Sequence, residues 1–289
     1  MHATTLTLGG KTFDIGERAL VMGILNRTPD SFYDKGATYT LDRLIHRADQ
    51  LASEGADILD VGGVKAGPGP AVGEDEELER VIPAIEALRA RLDIPLSVDT
   101  WRASVAKQAY EVGAVVGNDI SGFADPDYLP AAAAAGATVV ATHIRLGPRI
   151  PDPAPFYEDV VHEVSSFLIE RADRARAAGL TADRIVLDAG LDLGKTADQS
   201  LALLRASDHL SALGYPLLLS ASNKTFLGVV LGLEVGDRRE ASVAAAALGV
   251  GLGCRIVRVH DVASHVQVCS VMAAIAAARS TAMSATGSS

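Results

Sequence analysis

Two cysteines, one tryptophan and an aromatic share of only 4% narrow the field at once. Cys254 and Cys269 cannot build a disulfide framework, and no zinc-type spacing is present, so a reducing compartment, the cytoplasm, suits the thiols. Positive charge is scarce too: 26 Lys and Arg against 36 Asp and Glu give a formal net charge of −10. Affinity for nucleic acid rests on clustered cations that release counterions, so no nucleic-acid partner is expected, and any anionic ligand must be held locally. Long apolar runs are missing as well. The stretches at 131–141 and 243–253 are rich in Ala and Gly and fall short of the ~20 apolar residues of a membrane span. Residues Met1 to Thr7 lack the basic and apolar regions of an export signal, so neither membrane insertion nor secretion is expected.

What is present is a chain of 289 residues, 48% hydrophobic and 21% charged, enough to bury a full core. Leu6 and Leu8, then Gly9-Gly10, then Phe13 and Ile15 predict an N-terminal β-hairpin. From Leu20 onward short β-branched or Leu-rich runs alternate with segments of helical period. Eight runs stand out: Leu20–Leu25, Asp57–Val61, Pro95–Val98, Ala114–Gly117, Thr138–Ala141, Arg184–Leu187, Pro216–Leu219 and Arg255–Val259. Thr40 is placed to cap a helix that presents Leu41, Leu44, Ile45, Ala48 and Leu51 on one face and ends at Gly55. A second helix follows the acidic turn Glu74-Asp75-Glu76-Glu77, but Pro83 inside it predicts a break or kink. Helices after Trp101, Asp125, Phe156, Ala197, Asp237 and Asp261 complete the set. Because the alternation never stops for a linker, the reading is an α/β fold, a single (β/α)8 TIM barrel over residues 1–280 with an N-terminal β-hairpin, followed by a flexible tail at 281–289.

In such barrels the chemistry sits where the strands end. The residues there are Asn26, Asp60 with Gly62-Gly63, Asp99, Asn118-Asp119, His143, Asp188, Ser222 with Lys224, and Arg258 with His260. Any one of them could be a helix cap; a polar residue at all eight strand ends points to a site. Asp99, Asn118 and Asp188 offer acceptors, matched by a ligand edge with paired N–H donors such as a 2-amino-4-oxo heterocycle. Arg258 and His260, two apart on one strand, share a face and with Asn26 and Lys224 suit an anion such as phosphate or diphosphate.

Met22-Gly23-Ile24-Leu25-Asn26 followed by Thr28-Pro29-Asp30-Ser31-Phe32 closely resembles the first motif of dihydropteroate synthases. Further matches in family order are Gly55 to Gly63, Ser97-Val98-Asp99-Thr100, Asn118 to Gly122, Gly194-Lys195-Thr196 and Arg258 to Val262. The resemblance implies a homodimeric barrel that binds a hydroxymethyl-dihydropterin diphosphate with Mg2+ and lets p-aminobenzoate displace diphosphate. It implies that Asp99, Asn118, Asp188 and Lys224 hold the pterin, with Asp99 and Lys224 at the reacting centre and Asp99 stabilising charge on the methylene carbon. Asn26, Arg258 and His260 would hold the diphosphate, and Asn26 the metal.

Three loops depart from the family pattern. Where the family has Gly-Gly-Glu-Ser-Thr-Arg-Pro-Gly, this chain has Gly62-Gly63-Val64-Lys65-Ala66-Gly67-Pro68-Gly69, with Ala66 and Gly67 in place of a diphosphate-binding Thr and Arg. Two lost charge-assisted bonds are worth roughly 3–5 kcal/mol, or ~10²–10⁴ in rate where they tighten in the transition state. Lys65 and Arg27 are the cations that could restore charge. The sixth loop, Asp188-Ala189-Gly190-Leu191-Asp192-Leu193-Gly194-Lys195-Thr196, lacks both family aromatics, and Asp192 would oppose a benzoate carboxylate. In the seventh, Ser222-Asn223-Lys224-Thr225 replaces Ser-Arg-Lys-Ser, and Thr142 and Ile144 flank His143 where the family usually has Met. A phosphate-loop reading of Gly190 to Thr196 fails, since it needs Gly where Ala189 stands. His46, His162, His209 and His265 read as surface or packing residues, and Trp101 as a residue packing a helix start.

The expectation is therefore a homologue that keeps a pterin-type pocket and is inactive or strongly impaired as a synthase. The alternatives are an active synthase whose Lys65, Arg27 and Asn223 substitute for the missing groups, a non-catalytic binder of a pterin or aryl ligand, and an enzyme acting on another acceptor.

Overall fold

The computed structural model describes residues 3–27, 41–67 and 69–286, with the side chains of the last helix described to residue 278. The expected Thr40 cap, the motif from Thr28 to Phe32, and Pro68 lie outside the described residues. A hairpin of β1 (Thr5–Leu8) and β2 (Lys11–Asp14) precedes eight parallel strands: β3 (Leu20–Asn26), β4 (Ile58–Gly62), β5 (Leu96–Asp99), β6 (Val116–Asp119), β7 (Thr138–Thr142), β8 (Ile185–Asp188), β9 (Leu217–Leu219) and β10 (Ile256–Val259). They close into a barrel in chain order, β10 pairing with both β9 and β3. The helices are α1 (Leu41–Ser53), α2 (Glu74–Arg91), α3 (Ala103–Glu111), α4 (Tyr128–Ala135), α5 (Val160–Ala177), α6 (Ala197–Arg205), α7 (Ser207–Ser211), α8 (Thr225–Leu231), α9 (Arg239–Gly251) and α10 (Val262–Thr286). The fold is thus the expected (β/α)8 barrel with its N-terminal hairpin.

Period-2 alternation along the strands sorts the core into two regions. Leu59, Val61, Leu187, Val257 and Val259 face outward and pack with the helices. Their neighbours Met22, Ile58, Val116, Val140, Val186, Leu218 and Ile256 fill the barrel, where Leu6, Leu8 and Ile15 of the hairpin segment join them from below. One step further along each strand the inward residues turn polar, which places Asp60, Asn118, Asp188 and Arg258 on an apolar floor.

Pro83 does not break α2, which runs unbroken from Glu74 to Arg91. A proline at 83 deprives the carbonyl of Glu79 of its helical donor. That oxygen accepts from Arg27 Nη1 at 3.1 Å, and the neighbouring Arg80 carbonyl accepts from the same atom at 2.6 Å. His265 is buried, with Nδ1 2.6 Å from the Asp261 carbonyl. His46, His162 and His209 are exposed. Trp101 stands just before α3 with the Arg102 guanidinium 5.4 Å from its ring centre. No described helix is long and apolar enough to cross a membrane.

Candidate active site

Asn26, Gly62 and Asp99 occupy one register row across β3, β4 and β5. Asn26 Oδ1 and Asp99 Oδ2 flank the glycine, 3.4 and 3.6 Å from where a Cβ would stand, so an amide and a carboxylate oxygen face the same gap. From β10, which pairs with β3 and closes the barrel, Arg258 reaches over to β4 and β5, its Nε donating to Asp60 Oδ2 and its Nη2 to Asp99 Oδ2, each at 2.6 Å. Asn118 Nδ2 donates to the same Asp60 oxygen at 3.0 Å, which commits the amide nitrogen and turns its carbonyl oxygen toward other partners. Asp188 accepts from Gly190 N at 2.8 Å, and Lys224 Nζ donates to the Leu191 carbonyl at 2.9 Å. His260 Nδ1 lies 3.0 Å from Ser222 Oγ. Asp119 stays apart, since its two oxygens accept from Ser121 N and Phe123 N and shape the turn after β6.

Burial in a crowded interior works against these charges. Asp99 is pushed up to about 7, first by desolvation, with Asp60 and Glu77 adding to the rise and Arg258 opposing it. Desolvation also raises Asp188 and lowers Lys224. For Arg258 burial works against the charge, but Asp60 and Asp99 outweigh it and hold the guanidinium above its ordinary value. Asp60 Oδ1, Ser97 Oγ and Thr142 Oγ1 are buried with no hydrogen-bond partner among the described residues. Such atoms are costly unless a ligand or water meets them.

The loops around this layer are held by cations turned toward the backbone. Arg149 Nη1 donates to the Lys65 carbonyl at 2.9 Å and its Nη2 to that of Pro70, while its own N–H donates to the Ala66 carbonyl at 3.1 Å. Arg80 Nη1 donates to the Gly63 carbonyl at 2.8 Å. In the sixth loop Lys195 Nζ lies 2.9 Å from His143 Nδ1 and donates to the carbonyls of Gly190 at 2.8 Å, Leu193 at 3.1 Å and His143 at 3.3 Å. Gly190 has φ +64°, and a Cβ there would collide with the His143 carbonyl, so only glycine permits this contact. Asp192, expected to face a second substrate, accepts from Thr225 N and Phe226 N and caps α8.

Of the residues expected in the site, Asn118 and Arg258 meet at Asp60, and Asp99 joins them through Arg258. Asp188 and Lys224 stand at the sixth loop, and His260 pairs with Ser222. Asp60 was legible as a polar strand end, but nothing in its spacing gave it the hub position. Arg149 and Lys195 carried no sequence signal for their roles, because their partners are backbone carbonyls from distant segments. Among the described residues no group of three or more His, Cys, Asp or Glu could hold a metal ion. A side-chain amide oxygen such as that of Asn26 is a donor of the kind Mg2+ accepts.

The class is set by a parallel barrel with carboxylates, an amide and a shared guanidinium gathered at its strand ends. Comparison with known sequences makes the class specific: the chain belongs to the pterin binding enzyme family, whose profile matches residues 22–260. Within it the chain is a dihydropteroate synthase homologue. It is 42% identical over 273 residues to the dihydropteroate synthase of Synechocystis sp., covering 93% of this chain and 94% of that one. It is 43% identical over 275 residues to the inactive dihydropteroate synthase 2 of Mycobacterium leprae, covering 91% and 92%. The crystal structure of Burkholderia cenocepacia dihydropteroate synthase complexed with 7,8-dihydropteroate superposes with a TM-score of 0.87 at 40% identity, covering 97% of this chain and 99% of that one.

Proposed function

We propose that this protein keeps the pterin-binding half of a dihydropteroate synthase and is inactive or strongly impaired in the synthase reaction. The observation that carries this reading is the second loop: Ala66 and Gly67 offer no side-chain donor, and the arginines around them, Arg80 and Arg149, are committed to loop carbonyls. In this reading Asp99, Asn118, Asp188 and Lys224 hold the pterin ring, with Asp99 and Lys224 at the reacting centre and Asp99 facing positive charge on the methylene carbon. Asn26, Arg258 and His260 are the groups left for a diphosphate, and Asn26 for Mg2+, which when bound would neutralise the leaving group.

The test is turnover of hydroxymethyl-dihydropterin diphosphate with p-aminobenzoate and Mg2+. Formation of dihydropteroate at the rate of a working synthase would sink the proposal. The intact set of Asp99, Asn118, Asp188 and Lys224 supports a second reading, an active synthase. Restoring the loop with Ala66→Thr and Gly67→Arg separates the two: a gain of ~10²-fold or more marks the natural loop as the limit, and no gain favours the active enzyme.

The same proposal includes a single pterin-binding domain over residues 1–280, a cytoplasmic location and a homodimer. Exposed Val229, Val230 and Leu231 on α8, Leu248 on α9, and Val271 and Ile275 one turn apart on α10 support the last point. Light scattering at micromolar concentration tests it, with a monomer as the refuting result.

A further inference from the structure

We infer that the ligand class this site selects is a pterin with an uncharged side chain, an alcohol or an unsubstituted ring, and that a diphosphate ester gains nothing by its charge. This inference rests on the pterin assignment made above and deepens it. Three carboxylates line the inward layer, Asp60, Asp99 and Asp188, against two cations, Arg258 and Lys224. Arg258 already serves two of the carboxylates at 2.6 Å each. Drawing it away toward an anion would strand buried charge, the situation in which removing one partner of an ion pair is most damaging. Lys224 is directed to the Leu191 carbonyl at 2.9 Å.

The guanidiniums at the rim are spent in the same way. Arg27 serves the carbonyls of Glu79 and Arg80, Arg80 that of Gly63, and Arg149 those of Lys65 and Pro70. A phosphate arriving among the described residues would therefore compete with a hydrogen bond already made at each of these groups. Space is not what is missing, since a Cβ on Gly67 would meet only Lys65 Cε at 3.8 Å. Among the described residues the second loop has room at Gly67, and its one side-chain cation is Lys65, a point charge without the paired donors of a guanidinium.

The acceptors, by contrast, are in place. Asn118 has its nitrogen tied to Asp60, which leaves its carbonyl oxygen for a donor, and the buried Asp60 Oδ1 has no hydrogen-bond partner among the described residues. Asp188 carries its charge beside them, balanced by one backbone N–H at 2.8 Å. A ring edge bearing N–H groups answers this set, and a further negative charge on the ligand does not.

The experiment is calorimetric titration of the full chain with 6-hydroxymethylpterin and with its diphosphate ester, with and without Mg2+. The expected result is that the alcohol binds, that the ester binds no more than ~3-fold tighter, and that Mg2+ leaves both unchanged. Asn118→Ala should weaken the alcohol ~10-fold, and the pair Ala66→Thr, Gly67→Arg should tighten the ester alone by a similar factor. An ester preference larger than ~3-fold in the natural protein overturns the inference and leaves the pterin reading standing. Binding of neither compound by protein whose circular dichroism shows it folded overturns the pterin reading and the inference together. Alcohol binding that Asn118→Ala does not weaken places the ligand elsewhere and also overturns the inference.

Discussion

Arg27 stands over the gap that Pro83 opens in α2, its Nη1 3.1 Å from the Glu79 carbonyl that the proline leaves without a helical donor. The residue that sequence reasoning offered as a replacement anion ligand is thus a repair of the helix behind the site. The pairing ties the end of β3 to the middle of α2 and so fixes the wall from which the second loop departs. Arg27→Leu is expected to destabilise the protein by about 1–3 kcal/mol, the cost of leaving partly buried carbonyls without their charged donor. Urea unfolding measures it. Pterin affinity should stay within ~2-fold, and a large loss of affinity with unchanged stability would contradict the assignment.

Arg149 performs a similar service for the second loop, gripping it at the carbonyls of Lys65 and Pro70. Replacing it by alanine should speed amide exchange at Lys65, Ala66 and Gly67 by roughly 10-fold, while the barrel strands exchange as before. Hydrogen exchange followed by mass spectrometry reads this directly. Unchanged protection in that segment would show that the guanidinium is not what holds it.

Lys195 is the centre of the fifth and sixth loops. Its Nζ serves three carbonyls and lies beside His143 Nδ1. Lys195→Met keeps the length of the side chain and removes the donors, so the loss should be about 2–4 kcal/mol in unfolding free energy. Pterin affinity should fall with it, because the Leu191 carbonyl that orients Lys224 belongs to the same loop. Stability equal to the parent would refute the role.

Asp99 gives a pH signature. Its carboxyl is raised to about 7 by burial, against the ordinary value of 3.8 that the unfolded chain would show. Between those limits the folded protein holds a proton that the unfolded chain has released, so folding stability falls as pH rises from about 4 to about 7. Asp99→Asn has no such proton. Relative to that variant the parent should lose about 4 kcal/mol across the interval and run parallel to it above pH 8. Parallel curves throughout would show that Asp99 ionises normally.

The architecture was legible because its causes are local and repeated. Alternating runs gave all eight barrel strands to within one or two residues, and Gly9-Gly10 marked the hairpin. The site was legible in outline, since position at a strand end follows from the fold. What the sequence hid was the pairing across the barrel. Arg258 and His260 stand two residues apart at the end of β10, but the partners of Arg258 lie 198 and 159 residues away, and only closure of the barrel brings them together. Asp192 shows the same limit: its charge was visible, and its use as the cap of α8 was not, because the amides of Thr225 and Phe226 belong to another loop.

The hairpin beneath the barrel has a consequence for traffic through the protein. Leu6, Leu8 and Ile15 fill the lower end, Thr7 Oγ1 donates to Asp183 at 2.5 Å, and Arg184 Nη2 donates to the Gly9 carbonyl at 3.0 Å. Among the described residues the vessel is stoppered at its base. Traffic to the polar layer is thereby steered to the end where the strands stop and the loops begin, opposite the hairpin.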